Sequence, residues 1–125
     1  MLFWILLMLG VYFVQTLLPN IIRYVLRPDP HLHALLGPRD NPPEASIFSE
    51  RAARAQRNTE EALLLFLPLA LLTLDQTAAL HGAQIFVLAR IAYAPSYILG
   101  VPYLRSVVWT VGAYGLASMA MAVAT

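Results

Sequence analysis

Four runs of apolar residues alternate with more polar segments along the chain, and they cover residues 2–18, 62–74, 82–99 and 107–124. Three of these runs approach the roughly 20 residues that an α-helix needs to cross a bilayer. The second run reaches that length only when it includes polar residues that precede it. The pattern predicts one all-α domain over residues 1–125, an integral membrane four-helix bundle with helices at residues 2–27, 47–75, 79–100 and 103–124.

Prolines and cap residues indicate where the first two helices end and begin. The first helix is expected to end near Arg27, because Pro28 cannot continue it. The segment that follows is rich in turn-forming residues and is expected to be a loop. Ser46 or Ser49 is expected to cap the second helix, which begins in water before it enters the membrane.

Two further prolines lie inside predicted membrane spans. Pro68 is expected to kink the second helix and Pro95 to interrupt the third, which ends near Gly100. The fourth helix is rich in small residues, which allow another helix to approach closely: Gly112, Ala113, Gly115, Ala117, Ser118, Ala120 and Ala122.

The composition excludes several classes of protein. With 59% hydrophobic and 12% charged residues, this chain of 125 residues is too apolar for an ordinary soluble domain. It has no cysteine, so any sulfur chemistry must act on a substrate's sulfur. His31 and His33 are interpreted as loop histidines rather than as metal ligands. No phosphate-binding loop, nucleophile elbow or nucleic-acid motif is present, so neither a metal nor a nucleic acid is expected as a partner.

The basic residues are all arginines and are distributed unevenly. Arg90 lies inside a predicted span, and the other seven flank the first and third connections: Arg23, Arg27, Arg39, Arg51, Arg54, Arg57 and Arg105. The positive-inside rule therefore predicts a multi-pass membrane protein with both termini outside and the arginine-rich loops in the cytoplasm.

Polar side chains share one face on each of two predicted helices. On the second helix an arc of roughly 80° contains Arg51, Arg54, Asn58 and Glu61. On the third helix an arc of roughly 60° contains Arg90, Tyr93 and Tyr97. One interpretation is structural, with topology-determining arginines, interfacial tyrosines and polar contacts between helices. The other is a ligand-binding cavity open to the cytoplasm, which Arg105 and Ser106 at the start of the fourth helix also line.

Two motifs distinguish these interpretations. The stretch E-R-x-x-R-A-Q-x-N-x-x-E begins at Glu50, and R-x-x-Y-x-x-x-Y begins at Arg90, followed by the Arg105–Ser106 pair. Together with the chain length and the four-helix layout, they resemble the MAPEG family, the membrane-associated proteins in eicosanoid and glutathione metabolism. The GPRD segment at residues 37–40 is similar to loops of bacterial members, and this resemblance implies a bacterial inner membrane as the location.

The resemblance implies a homotrimer that binds glutathione between neighbouring subunits. Arg54, Asn58 and Glu61 match glutathione-binding positions, and Gln56 matches a residue that reaches the adjoining subunit's site. Tyr93 and Tyr97 match contacts on the third helix. We include Arg51 and Arg90, which lie on the same two faces, in the expected binding set.

The catalytic expectations rest on the start of the fourth helix. Arg105 resembles the arginine that stabilises the glutathione thiolate, and Ser106 resembles a serine beside that arginine in some members. Some relatives have a tyrosine directly after the glutamate, where this chain has Ala62, so the resemblance does not imply the same lipid substrate as theirs. The family's helix-one arginine corresponds to Arg23 or Arg27.

The expected function is that of a glutathione-dependent membrane transferase or peroxidase that acts on hydrophobic electrophiles from the bilayer. Glutathione, the co-substrate, carries two carboxylates and one ammonium group, which match a site with several arginines and one glutamate. Glu61 is expected either to pair with the ammonium or to hold Arg54. The alternative is a non-enzymatic membrane scaffold or regulator of the same architecture, in which the polar stripe stabilises the oligomer.

Overall fold

The computed structural model describes residues 1–125, which form five α-helices and no strand: α1 Leu2–Tyr24, α2 Leu32–Leu36, α3 Ile47–Leu72, α4 Thr77–Leu99 and α5 Leu104–Ala124. Three helices, α1, α4 and α5, are long and apolar enough to cross a membrane. The prediction of an all-α membrane protein is therefore confirmed. Helix α3 is not among these three candidates, because its first half is charged and its apolar part begins only at Ala62.

The first helix is shorter than the sequence suggested, and the loop after it contains a helix that was not predicted. Helix α1 ends at Tyr24, about one turn before Arg27. The amides of Val25 and Leu26 both donate to the Ile21 carbonyl, at 2.9 and 3.0 Å, so the regular ladder stops there. Pro28 would collide with the Tyr24 carbonyl in a continued helix, which explains the early end. Helix α2 is a short helix within the predicted loop.

Helix α3 begins at a serine cap, as the sequence allowed. The amide of Ser49 donates to Ser46 Oγ at 3.1 Å, so Ser46 is the cap residue. Ser49 Oγ in turn donates to the Ser46 carbonyl at 2.8 Å. These bonds satisfy groups that an uncapped helix start would leave without partners.

Pro95 does not interrupt α4, which continues through it to Leu99, so this expectation was wrong. A proline inside a helix removes a single amide donor, and contacts with neighbouring helices offset that loss. Helix α4 contacts α1, α3 and α5 and is therefore held from three sides. Pro68 likewise lies inside a continuous α3.

The apolar core forms where α1, α3, α4 and α5 meet. At its centre the rings of Phe66 on α3 and Phe86 on α4 stack with their centres 4.6 Å apart. Met8 of α1 and Met119 of α5 are fully buried against this pair. The outward faces are also apolar, and Leu64, for example, is 74% exposed. A helix that is apolar on both faces suits a lipid environment rather than water.

Glycines bring α4 and α5 into close contact. A Cβ atom added to Gly115 would lie 2.6 Å from the Gly82 carbonyl oxygen, and one added to Gly82 would lie 2.6 Å from the Gly115 carbonyl oxygen. One turn closer to the start of α5, Gly112 packs beside the side chains of Ala89 and Arg90. This packing places the first turns of α5 directly over the polar face of α4.

Candidate functional site

The polar faces of α3 and α4 meet at Arg90. Its Nη2 donates to Asn58 Oδ1 at 2.8 Å and to Thr59 Oγ1 at 3.0 Å. Its guanidinium carbon lies 4.2 Å from the centre of the Tyr93 ring, a favourable cation–π distance. Arg90 is only 3% exposed, and Nε has no hydrogen-bond partner.

No carboxylate neutralises Arg90 within the subunit. The ion pairs of the structure are those of Asp29 with Arg27 and with His31, in the loop after α1. Neutral oxygens and an aromatic face therefore hold the guanidinium charge in place without cancelling it. A buried charge without a counter-charge is costly in an apolar environment, so this position favours the binding of an anion nearby.

Tyr97 connects the three helices that form the site. Arg54 Nε of α3 donates to the Tyr97 hydroxyl oxygen at 3.1 Å. The guanidinium carbon of Arg105, on α5, lies 4.9 Å from the centre of the Tyr97 ring. Tyr93 meets Tyr97 edge to face, with ring centres 5.7 Å apart. One phenol thus positions two arginines from helices on either side of it.

The connection between α4 and α5 determines where Arg105 and Ser106 lie. Gly100 adopts a left-handed conformation with φ of 68°, and a Cβ atom there would lie 2.6 Å from Arg51 Nη1. Arg51 donates to the Ile98 carbonyl at 3.3 Å, so it sits against this turn. Tyr103, just before α5, also has a positive φ of 65°. A non-glycine residue rarely adopts this conformation, which here sets the direction in which α5 begins.

Three adjoining cavities follow the polar faces. The first, of about 520 Å³, lies at the α4–α5 turn and includes Arg51, Tyr97, Arg105 and Ser106 in its lining. The second, of about 490 Å³, shares Arg105 and Ser106 with the first and adds Asn58 and Tyr93. The third, of about 380 Å³, shares Asn58 and Trp109 with the second and extends inward to Glu61 and Arg90.

Glu61 has no basic partner in the subunit. It is exposed, lines the innermost cavity together with Arg90, and takes part in no ion pair. Arg54 donates to Tyr97 instead, so the expectation that Glu61 holds Arg54 does not apply within one subunit. The carboxylate remains available to a cationic group of a ligand.

Gln56 and the arginines of α1 lie apart from these cavities. Gln56 is half-buried on α3 and lines none of the three. Arg23 Nε donates to the Pro43 carbonyl at 2.8 Å. Arg27 Nε donates to Asp29 Oδ1 at 3.0 Å. Within a single subunit, neither α1 arginine joins the site formed by α3, α4 and α5.

The loop after α1 forms a small charged cluster of its own. Hydrogen bonds from Arg27, and secondly from His31, hold the pKa of the exposed Asp29 carboxyl below its usual range. His31 Nε2 lies 3.2 Å from Asp29 Oδ2. No group of three histidine, cysteine or acidic side chains is placed to hold a metal ion.

Sequence reasoning missed two residues of this region. Thr59 is fully buried and accepts a hydrogen bond from Arg90. Trp109 lines both inner cavities. Trp109 follows Arg105 by four residues on α5, so helical spacing would have placed both on one face. No local signal distinguishes Thr59 from other helix threonines, because its partner is on α4.

Comparison with known proteins identifies a family for this chain. The family model described as MAPEG family matches residues 1–125, the whole chain. No curated protein and no solved structure matches significantly. The matched region includes every helix and all the residues that line the three polar cavities.

Proposed function

The chain belongs to the MAPEG family, and from that premise we propose that it is a membrane enzyme that binds glutathione and directs its thiolate at hydrophobic electrophiles or peroxides. Members of this family generally use glutathione. The observation that carries the proposal is the row of three adjoining cavities, whose linings contain arginines from α3, α4 and α5 and one unpaired glutamate.

The charges of these cavities suit glutathione. Arg51, which lines the outer cavity, and Arg54, which donates to Tyr97, offer guanidinium groups to the two carboxylates of the tripeptide. Glu61, without a basic partner in the subunit, offers a carboxylate to its ammonium group. Arg90 contributes a buried positive charge between them, because its own hydrogen bonds go to neutral oxygens.

Arg105 is the proposed activating residue. A free thiol has a pKa near ~8.5, and a nearby guanidinium lowers it by stabilising the thiolate, which is the nucleophile. The thiol loses its proton to solvent. The thiolate then forms a bond to an electrophilic carbon, whose leaving group departs or whose π bond takes up a proton from solvent. With a peroxide, the thiolate attacks one oxygen, the O–O bond breaks to release an alcohol, and a second glutathione thiol condenses with the resulting sulfenic acid to give the disulfide and water. Ser106 beside it lines the same two cavities and provides a hydroxyl that can hydrogen-bond to the sulfur.

We further propose that the enzyme is a homotrimer of four-helix subunits. Arg54, Glu61 and Arg105 are exposed in one subunit, at the boundary of an apolar surface. Charged groups in such a position are costly unless protein covers them. A neighbouring subunit would shield them, and in this assembly Gln56 and an α1 arginine would approach the next subunit's site. Helix α3 would then cross the bilayer as a fourth span, with the arginine-rich loops in the cytoplasm.

A scaffold without enzymatic activity is the second candidate, and one observation favours it. Arg90, Asn58 and Thr59 form a hydrogen-bonded network that joins α3 to α4 within the subunit. A buried network of this kind rigidifies a bundle whether or not a ligand binds.

A binding titration of the purified protein with glutathione, read together with thiolate absorbance over a single turnover, tests the proposal. We expect saturable binding and a thiolate signal at neutral pH. Binding without a thiolate would favour a regulator, and no binding of glutathione would overturn the proposed function.

A further inference from the structure

The segment between α1 and α3 carries apolar side chains that the subunit leaves uncovered. On the short helix α2, Leu32 and Leu36 lie one turn apart and both are exposed, Leu36 by 79%. Leu26, just before this helix, is exposed as well. Ala34 and Leu35, on the opposite side of α2, are partly buried. Helix α2 therefore has an apolar outer face, and a face of this kind indicates a partner.

Helix α2 lies beside α1 and away from the rest of the bundle. Among the other helices it contacts α1 alone. The His31 amide, at the start of α2, donates to the Tyr24 carbonyl at the end of α1 over a distance of 2.6 Å. No residue of α2 lines any of the three polar cavities. The apolar face of α2 is therefore not a lid over the proposed glutathione site within the subunit.

The side of α1 that α2 covers is the side that points away from the bundle. Leu6, Phe13 and Leu17 recur at helical spacing along one side of α1, and all three are exposed. Tyr24 falls on the same side, about five turns after Leu6, yet it is only 2% exposed. The segment that follows α1 and bonds to Tyr24 therefore closes over this side, whose uncovered part suits lipid. The outer face of α2 continues the lipid-facing surface of α1.

The length of α1 sets the level of α2 in the membrane. Its 23 residues extend about 34 Å, slightly more than the hydrocarbon core of a bilayer, which is about 30 Å thick. The end of α1 at Tyr24 therefore lies close to the boundary between acyl chains and headgroups, and α2 is bonded to that end.

A basic side chain lies at the end of α2. Arg39 follows the helix by one turn and is exposed, and its Nε donates to the Leu35 carbonyl at 2.8 Å. Its Nη atoms make no hydrogen bond in the subunit and can meet a lipid phosphate, which a guanidinium group suits. Charge and apolar surface thus occur together at the level of the headgroups.

We propose that α2 is an anchor that lies in the interface of the membrane, with Leu32 and Leu36 inserted between the phospholipid headgroups and the acyl chains. An amphipathic helix with leucines on one face and an arginine at its polar edge binds in this layer. The occupant of the apolar face is the phospholipid that surrounds the protein. This anchor goes beyond the proposed glutathione chemistry and does not require it.

A second copy of the chain suits this face less well. The charged groups that need cover from a neighbouring subunit, Arg54, Glu61 and Arg105, lie on α3 and α5. Helix α2 contacts neither of these helices. The surface proposed for subunit contacts and the apolar face of α2 therefore lie in different parts of the subunit.

Site-directed spin labelling tests the anchor, because the chain has no cysteine and an introduced cysteine is the single labelling site. Leu36→Cys is labelled with a nitroxide, and the full chain is placed in phosphatidylcholine vesicles. Collisions of the label with oxygen, which concentrates among acyl chains, are compared with collisions with a water-soluble nickel chelate. We expect the label at residue 36 to collide more often with oxygen than with the chelate.

Two further labelled positions calibrate this measurement. Phe13→Cys, on the exposed side of α1, should give the lipid value. Glu44→Cys, at an exposed position in the segment that joins α2 to α3, should give the water value. A residue-36 label that matches the Glu44 position would overturn the proposal. A label that neither oxygen nor the chelate reaches would show that protein covers α2, and this too would overturn it.

Substitutions at Leu32 separate insertion of α2 from mere proximity to lipid. In the protein labelled at residue 36, Leu32→Glu should shift the label toward the water value, because a carboxylate is costly among acyl chains. Leu32→Met is the matched control, which keeps an apolar side chain and should leave the value unchanged. A label that stays at the lipid value in Leu32→Glu would overturn the role of α2 as an anchor.

Glutathione binding is recorded for every labelled variant and should match that of the wild type, since α2 lines none of the polar cavities. A loss of glutathione binding in Leu36→Cys alone would show that α2 belongs to the glutathione site, against the proposal. A wild type that does not bind glutathione would overturn the proposed function and leave the anchor unaffected.

Discussion

The guanidinium of Arg105 lies over the ring of Tyr97, with its central carbon 4.9 Å from the ring centre. This contact joins the start of α5 to the end of α4 across the turn at Gly100 and Tyr103. The hydroxyl of the same tyrosine accepts a hydrogen bond from Arg54 on α3. The activating arginine of the proposed mechanism is therefore positioned by an aromatic face, and its charge is not neutralised by an acid.

Arg105→Ala should leave glutathione bound and abolish the thiolate. The guanidinium acts on the sulfur in this proposal, so its loss should raise the apparent pKa of the bound thiol toward ~8.5 and reduce conjugation at neutral pH. The measurement is thiolate absorbance against pH at saturating glutathione. Ser106→Ala is the neighbouring control and should shift this pKa less. An unchanged pKa in Arg105→Ala would mean that another residue activates the thiol.

Two substitutions at Tyr97 should separate its two contacts. Tyr97→Phe keeps the ring under Arg105 and removes the hydrogen bond from Arg54, so it should weaken glutathione binding and leave the thiol pKa nearly unchanged. Tyr97→Leu also removes the cation–π contact, which contributes about 0.5–2 kcal/mol, and should raise the thiol pKa as well. Binding titrations and pH profiles of both variants check this. An equal thiol pKa in Tyr97→Phe and Tyr97→Leu would show that the ring does not position Arg105.

Glu61→Gln and Arg54→Ala should each weaken glutathione binding roughly tenfold or more, because hydrogen bonds to charged groups contribute about 1.5–3 kcal/mol. Glu61 would lose the ligand's ammonium, and Arg54 would lose both a positive charge and its contact with Tyr97. Glu60→Gln and Arg57→Ala are the matched controls, because these exposed α3 residues neither line a polar cavity nor hydrogen-bond to Tyr97, as Arg54 does. If the site variants bind glutathione as well as these controls, the polar stripe is structural.

Gly115→Ala should destabilise the bundle. The added Cβ atom would lie 2.6 Å from the Gly82 carbonyl oxygen and 2.8 Å from the Phe86 amide nitrogen, so α4 and α5 must move apart. Overpacking of this kind typically costs about 1–3 kcal/mol. Thermal unfolding in detergent measures the loss of stability. Gly10→Ala is the control, because a Cβ atom there meets no atom within 4 Å. Equal stability of the two variants would contradict the close α4–α5 packing.

The subunit number should be three. The charged face of α3 and the exposed Arg105 need protein cover in an apolar environment, and one subunit does not provide it. Native mass spectrometry in detergent, with and without glutathione, measures the assembly. A monomer or dimer that still binds glutathione would rule out a site shared between three subunits.

The periodicity of the sequence determined which side chains share a face. Residues three and four apart lie together on any α-helix, so the sequence alone predicted the stripes on α3 and α4, the all-α fold and the apolar spans. Helix termini were harder to predict. Pro95 was expected to interrupt a helix that in fact continues through it, because contacts with three neighbouring helices offset the lost amide.

Only the tertiary structure decided which faces meet and what each polar group contacts. Arg90 donates a hydrogen bond to Thr59, which lies thirty-one residues before it in the sequence. No local sequence pattern predicts a contact between residues so far apart. Arg54 contacts Tyr97 rather than Glu61, because the packing of α3 on α4 brings the Tyr97 hydroxyl within hydrogen-bond distance. The close approach of Gly82 to Gly115 fixes how α5 lies on α4, whose end carries the Tyr97 ring beneath Arg105. The position of α2 beside α1, and away from the other helices, is likewise visible only in the folded subunit. Local helical geometry is set by each segment alone, whereas contacts between helices depend on side-chain shapes that act over the whole bundle.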